Sequence, residues 1–187
     1  IEDLGVNAVE LMPITEFDGN DSWGYSPNHF FALDKAYGTP KQLKAFVDEC
    51  HKRGIAVILD MVFNHATGLN PMNKLYPYGD DLKYNPWFNV KAPHGDNVYE
   101  DWNHDFELTK LMFTRALQYW LKEYKIDGVM TLASDMPMRT VACVGRELDL
   151  PAISEEAAFR ATDKHAMRRA LKEHGVPVPV FFGVKEE

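Results

Sequence analysis

Cysteine is almost absent from this chain, with only Cys50 and Cys143 in 187 residues, each inside a segment of helical, amphipathic spacing. Two such thiols exclude a disulfide-built scaffold and read as reduced core residues, in keeping with a reducing compartment such as the cytoplasm. Long hydrophobic runs are also missing: no stretch approaches the ~20 apolar residues that carry a helix across a bilayer. Cations are in short supply, 20 Lys and Arg against 28 Asp and Glu, and a formal net charge of -8 gives no attraction to nucleic acid or to an anionic membrane. That balance suits a neutral or cationic small ligand. The front lacks both a Met and a basic, apolar leader, so Ile1-Glu2-Asp3 reads as the start of a piece of a longer protein. What is plentiful is core material: 45% of residues are hydrophobic and 12% aromatic, enough for one domain or two small ones.

The apolar residues alternate between two periods. Ala8 to Pro13 reads as a strand after a turn at Gly5. Pro40 to Arg53 reads as a helix, with proline in its first turn, Leu43, Phe46, Val47 and Cys50 at helical spacing, and Gly54 as its stop. Ile55 to Leu59 is a second strand, Leu108 to Tyr124 a second helix and Ile126 to Leu132 a third strand. Arg139 to Leu148 and Asp163 to His174 add two helical patterns, with Ala152-Ile153 and Val178 to Val184 as further candidate strands. Such alternation predicts an α/β protein with a parallel sheet. Between the second strand and second helix lies a polar, aromatic stretch from Ala66 to Asp105, longer than an ordinary connection and read as an inserted subdomain.

The chemistry concentrates in Gly54-Ile-Ala-Val-Ile-Leu-Asp60-Met-Val-Phe-Asn64-His65. A buried strand followed by a carboxylate, an amide and an imidazole delivers polar groups to one mouth of a sheet, where α/β proteins keep their sites. A pyranose ring has apolar C–H faces and hydroxyl edges, so it needs an aromatic platform with donors and acceptors beside it. Tyr25, Asp60, Asn64 and His65 make that inventory. The loop aromatics Tyr76, Tyr78, Tyr84, Trp87, Phe88 and Trp102 fit a subdomain core better than a sugar-binding rim, and His94 and His104 carry no metal-ligand spacing.

From Leu4 to about Gly128 the sequence resembles the α-amylase family of glycoside hydrolases, family 13. The matching pieces are Gly5-Val-Asn-Ala-Val-Glu-Leu-Met-Pro13, Trp23-Gly-Tyr25-Ser-Pro27, Tyr37-Gly-Thr39, Asp60-Met-Val-Phe-Asn64-His65 and Tyr124-Lys-Ile-Asp-Gly128. The resemblance implies strands two, three and the start of four of a TIM barrel, with 66–105 as the inserted subdomain. It implies that Tyr25 stacks on a sugar of an α-glucan or maltooligosaccharide, that His65 hydrogen-bonds that sugar, that Asp60 supports the site and that Asn64 ligates a structural Ca²⁺. If the strand through Gly128 pairs beside the strand ending at Asp60, the amylase order is kept.

The family's catalytic signature is not kept. Its carboxylate nucleophile ends a Gly-Phe-Arg-Phe-Asp type motif; here Met130 stands in the place of the Arg and Leu132 in that of the Asp, and neither side chain can attack an anomeric carbon. Asp135 lies three residues further on, an advance of about 10 Å that also reverses the strand face. Glu155 and Glu156 read as first-turn helix charges. From about Ile126 onward the sequence instead resembles the ATP-grasp superfamily, of the carbamoyl-phosphate-synthase-like kind. That resemblance rests on Ile126-Asp-Gly-Val-Met-Thr-Leu-Ala-Ser-Asp135-Met-Pro-Met-Arg139, Ala152-Ile-Ser154, and Thr162-Asp-Lys164-His-Ala-Met-Arg168 through Gly175-Val-Pro-Val-Pro179. It implies a nucleotide-phosphate contact for Lys164, although Thr162-Asp163 is equally an ordinary helix start. The glycine-rich phosphate loop and the Mg²⁺-binding residues of that family have no counterpart, so ATP and Mg²⁺ turnover is not expected.

The expected protein is therefore composite, its two parts meeting at Ile126 to Gly128. Residues 1–128 form a partial TIM-barrel (β/α) segment with an inserted subdomain, and 129–187 a Rossmann-like, ATP-grasp-like α/β segment. The resemblance implies a truncated α-glucan-acting glycoside hydrolase or transglycosidase that lacks the nucleophile and general acid and so has no turnover, with a non-catalytic α-glucan-binding module, an ATP-binding ligase segment and a ligand-free doubly wound sheet as alternatives. Open sheet edges favour self-association in each case.

Overall fold

The computed structural model describes residues 1–76, 82–95, 98–131, 137–150 and 152–182. The chain divides into two compact units, Ile1–Ala133 and Ser134–Glu187. The first unit runs β1 (Ala8–Leu11), β2 (Thr15–Phe17), β3 (Pro27–Leu33), α1 (Pro40–Lys52), β4 (Ala56–Asp60), β5 (His65–Ala66), α2 (Pro71–Lys74), β6 (Glu100–Asp101), α3 (Glu107–Tyr124) and β7 (Gly128–Met130). Its main sheet has the order β1-β4-β7, with every pair parallel. Leu11 faces Leu59, and Asp60 faces Met130. The strand through Gly128 thus lies beside the strand ending at Asp60, as the amylase order requires.

Local sequence explains why α1 and β4 form. Thr39 and Gln42 build a reciprocal capping box ahead of Pro40, and Leu43, Val47 and Cys50 bury one face of the helix. Within β4, Val57 and Leu59 are buried while Ile58, on the other face, is only half-buried. The Ile-Asp-Gly turn before β7 is held by Asp127: its N–H donates to the Val57 carbonyl at 3.0 Å, and its Oδ2 accepts the Val57 N–H at 2.7 Å. His51 Nε2, from the last turn of α1, meets the same oxygen at 2.8 Å.

An aromatic core joins the inserted stretch to the barrel segment. Phe113 of α3 meets Phe30 at 5.0 Å, Phe63 at 4.9 Å and Trp102 at 5.4 Å between ring centroids, and Phe88 lies 4.3 Å from Trp102. Trp120 donates its indole N–H to the Phe30 carbonyl at 2.8 Å. Phe88 and Trp102 are therefore core residues, and Tyr84 is exposed; Tyr78 lies outside the described residues. The β2–β3 antiparallel hairpin has no clean period-2 pattern, and two register irregularities interrupt its pairing.

The second unit contains α4 (Met138–Leu148), α5 (Glu155–Thr162) and α6 (Lys164–Glu173). The candidate strands there are corrected: among the described residues neither Ala152-Ile153 nor residues 178–182 are strand, and no strand of this unit stands opposite them. Pro179 removes a ladder donor from the second of these segments, and Pro177 stands just before it. Ala152 instead packs against α4 at Gly145, where an added Cβ would come within 2.3 Å of its own. The α/β alternation expected to continue into a Rossmann-like segment is absent from the described residues of this unit. Glu155 and Glu156 sit in the first turn of α5, as read from the sequence.

Candidate functional site

Asp60 ends β4 and is buried, with 4% of its surface exposed. Tyr25 reaches it from the segment before β3, donating its hydroxyl proton to Oδ2 at 2.6 Å. The preceding Gly24 is obligatory for that approach: its φ is +90°, and a Cβ there would meet the Pro13 carbonyl oxygen at 2.1 Å. Tyr25 remains 42% exposed as a residue although its hydroxyl is tied down. The bond to the Asp60 carboxylate, with burial and that negative charge, pushes its phenol up to about 12.

His65 sits in β5, buried, with its Nε2 2.8 Å from the backbone carbonyl of Tyr25. A carbonyl only accepts, so Nε2 carries the proton, and Nδ1 faces the Asn64 amide nitrogen at 3.4 Å. Burial lowers the imidazole pKa and keeps the ring neutral. Tyr25, Asp60 and His65 are thus brought together, with Asn64 beside them.

Several neighbours were not legible as site residues. The ring of Tyr99 lies 5.6 Å from that of His65, at 42°, while 52% of Tyr99 is exposed. Asp101 pairs with His65 across the β5–β6 ladder, and its two oxygens take His94 Nε2 at 2.9 Å and Asn89 Nδ2 at 2.7 Å. Nothing in the linear spacing of these residues announces the cluster, because the ladder alone aligns 65 with 101. His104 donates to the Phe63 carbonyl at 2.8 Å, and burial pushes its pKa down to about 4.

Asn64 supplies a hard oxygen, but its amide nitrogen already faces His65, and the nearby Asp101 has both oxygens engaged. Among the described residues no three His, Cys, Asp or Glu side chains gather as a metal-binding group. Met130 is 36% exposed at the end of β7, directly across the ladder from Asp60. Leu132 and Asp135 lie outside the described residues. Lys164 is exposed in the first turn of α6 in the second unit, where the Asp163 side chain caps the helix by accepting the Ala166 N–H at 2.7 Å. No helix among the described residues is long and apolar enough to cross a membrane.

The family model for the α-amylase catalytic domain matches residues 1–127. The chain belongs to the α-amylase family. It is 37% identical over 132 residues to a malto-oligosyltrehalose trehalohydrolase of Saccharolobus solfataricus, covering 68% of this chain and 22% of that protein. It is 35% identical over 135 residues to a 1,4-alpha-glucan branching enzyme of Oleidesulfovibrio alaskensis, covering 69% and 20%. A mutant pullulanase of Paenibacillus barengoltzii, solved in complex with maltotriose, superposes with a TM-score of 0.68 at 25% identity, covering 79% of this chain and 26% of that one. The chain thus spans about a fifth of the curated relatives it matches. The first unit is part of an amylase-type barrel, and the ATP-grasp resemblance finds no counterpart in these matches.

Proposed function

We propose that the first unit is the sugar-holding wall of an α-glucan site, one that binds a glucan without hydrolysing it. The observation that carries this reading is the Tyr25 to Asp60 hydrogen bond, 2.6 Å long, which fixes a half-exposed ring at the carboxyl end of a barrel strand. A ring held in this way keeps a flat apolar face ready for the C–H face of a glucose unit and loses little freedom on binding. His65 props the same residue from behind through the Tyr25 carbonyl. With the phenol pushed up and the imidazole pushed down, both stay neutral around pH 7, which suits a neutral sugar.

The lack of turnover rests on Met130 and Leu132, which stand where the family motif has its Arg and its nucleophilic Asp. The composite reading of the chain has sequence support alone. Lys164 belongs to the second unit and takes no part in this reading of the first. Calorimetry with maltotriose tests the binding: heat should appear with the wild type, weaken in Tyr25→Phe, whose ring is no longer tied to Asp60, and vanish in Tyr25→Ala. Equal heat from all three proteins, or none from any, contradicts the reading.

A further inference from the structure

We infer that a cavity beside β3 binds a small uncharged aromatic molecule carrying one hydrogen-bond acceptor, at a place separate from the site at Tyr25 and Asp60. The cavity measures about 220 Å³ and takes its walls from three elements: Asn28, Phe30 and Phe31 of β3, Met72 of α2 and Met112 of α3. Tyr25, Asp60 and His65 do not line it. An apolar cavity of ~150 Å³ in a protein interior holds a benzene ring, so this one has room for a ring and a short substituent.

The walls select the guest. Two thioethers and two phenyl groups are polarizable surfaces, and sulfur gains from contact with an aromatic ring. No Lys, Arg, Asp or Glu stands among the lining residues, so a charged guest would lose its hydration without a counter-charge. One polar group breaks the apolar lining. Asn28 is buried, its Oδ1 accepts the Thr67 hydroxyl, and its carbonyl accepts the Asn70 Nδ2 at 2.8 Å. Its own Nδ2 has no partner among the described residues, which leaves N–H donors for an acceptor on the guest.

The frame around this amide is preformed. Asn70 also accepts the Met72 N–H at 2.8 Å, and Asn85 donates to the Met72 carbonyl at 3.1 Å, so the backbone of Met72 is held from both sides. On the opposite wall the Phe30 carbonyl is fixed by the Trp120 indole. A cavity held in this way loses little freedom when it fills.

The test is an NMR titration of the full chain with its methionine methyls labelled, comparing the wild type, Asn28→Asp and Ala32→Phe, the last at a further lining position. The probes are acetophenone, toluene and N-acetyl-leucine amide. Acetophenone should bind the wild type with a Kd of about 1 mM, an ordinary value for about nine heavy atoms. It should move the Met72 and Met112 signals ahead of those of the other methionines. Toluene, which has no acceptor, should bind about fivefold more weakly, the order of one hydrogen bond. Asn28→Asp keeps an oxygen for Thr67 but loses the amide donor, and should bring acetophenone down to the affinity of toluene. Ala32→Phe fills the cavity with a ring of its own and should abolish both. Equal affinity of acetophenone for all three proteins, or shifts spread evenly over all the methionines, overturns the inference. So does tighter binding of N-acetyl-leucine amide, which would make the cavity a groove for a side chain of another protein. Should Asn28→Asp fail to fold, the ratio of acetophenone to toluene in the wild type and the loss in Ala32→Phe decide the matter.

Discussion

β4 and β7 lie side by side in one parallel ladder, with Asp60 opposite Met130, and they end in opposite ways. β4 finishes on a buried carboxylate gripped by a tyrosine hydroxyl, whereas β7 finishes on a thioether that is 36% exposed. The ladder treats them alike: Asp127 N–H bonds the Val57 carbonyl at 3.0 Å, and Met61 N–H bonds the Met130 carbonyl at 2.9 Å. Backbone pairing and the buried face of β4 hold the strands, and neither depends on which side chain stands at the tip. A barrel segment can therefore keep its order whichever side chain stands at a strand end, because function sits on the ends of strands whose interiors carry the fold.

The largest effect should separate those two roles. Leu59→Ala removes a side chain with 1% of its surface exposed and should cost about 2–5 kcal/mol, whereas Met130→Ala, with little to uncover, should cost less than about 1 kcal/mol. Urea denaturation reads both; equal losses would place the fold's dependence at the strand tip. Next comes the grip itself. Asp60→Ala strands the Tyr25 hydroxyl and should destabilise by about 1–3 kcal/mol. Its clearer signature is alkaline: the Tyr25 ionisation should fall from about 12 toward the ordinary value of 10.0, as followed by phenolate absorbance. The sign follows from the proton: a phenol held protonated in the fold adds stability below pH 10.0, and that stability is lost between there and about 12. The Asp60→Ala variant should lack this loss.

A smaller effect is acidic. His65 and His104 both take up protons less readily when folded, the second only at about 4. Below the ordinary value of 6.5 the unfolded chain binds protons that the folded chain refuses, so stability should decline from there toward about 4. Melting temperatures across that interval check it, and a flat profile would mean that the two imidazoles are not buried. Smallest is association. β1 and β7 are the outer strands of the main sheet, so the sedimentation coefficient should rise with protein concentration if their edges are open, and stay constant if they are covered.

Much of the barrel segment was legible because its signals are local. The capping box at Thr39 and Gln42, the apolar stripe of α1 and the run ending at Asp60 each declare their structure within a few residues. Asp60 and His65 follow one strand and share its mouth, whereas no local spacing joins Tyr25 to them, since 35 residues separate it from Asp60 and a tight glycine approach brings them together. Tyr99 and Asp101 were not legible, because a two-residue ladder inside an irregular stretch decides their neighbours. In the second unit, Val178 and Val180 suggested a strand by their alternation, but prolines interrupt it and no partner strand is present among the described residues. The difference is between order written in local periodicity and order created by contact.

On the function proposed above, this chain holds a glucose ring and lacks the oxygen that would break its bond. A proton NMR time course of maltotriose mixed with the purified chain tests both halves at once. The account predicts broadened sugar resonances from the first spectrum and no new reducing-end anomeric signals thereafter; sharp resonances throughout, or growing signals of maltose and glucose, would contradict it.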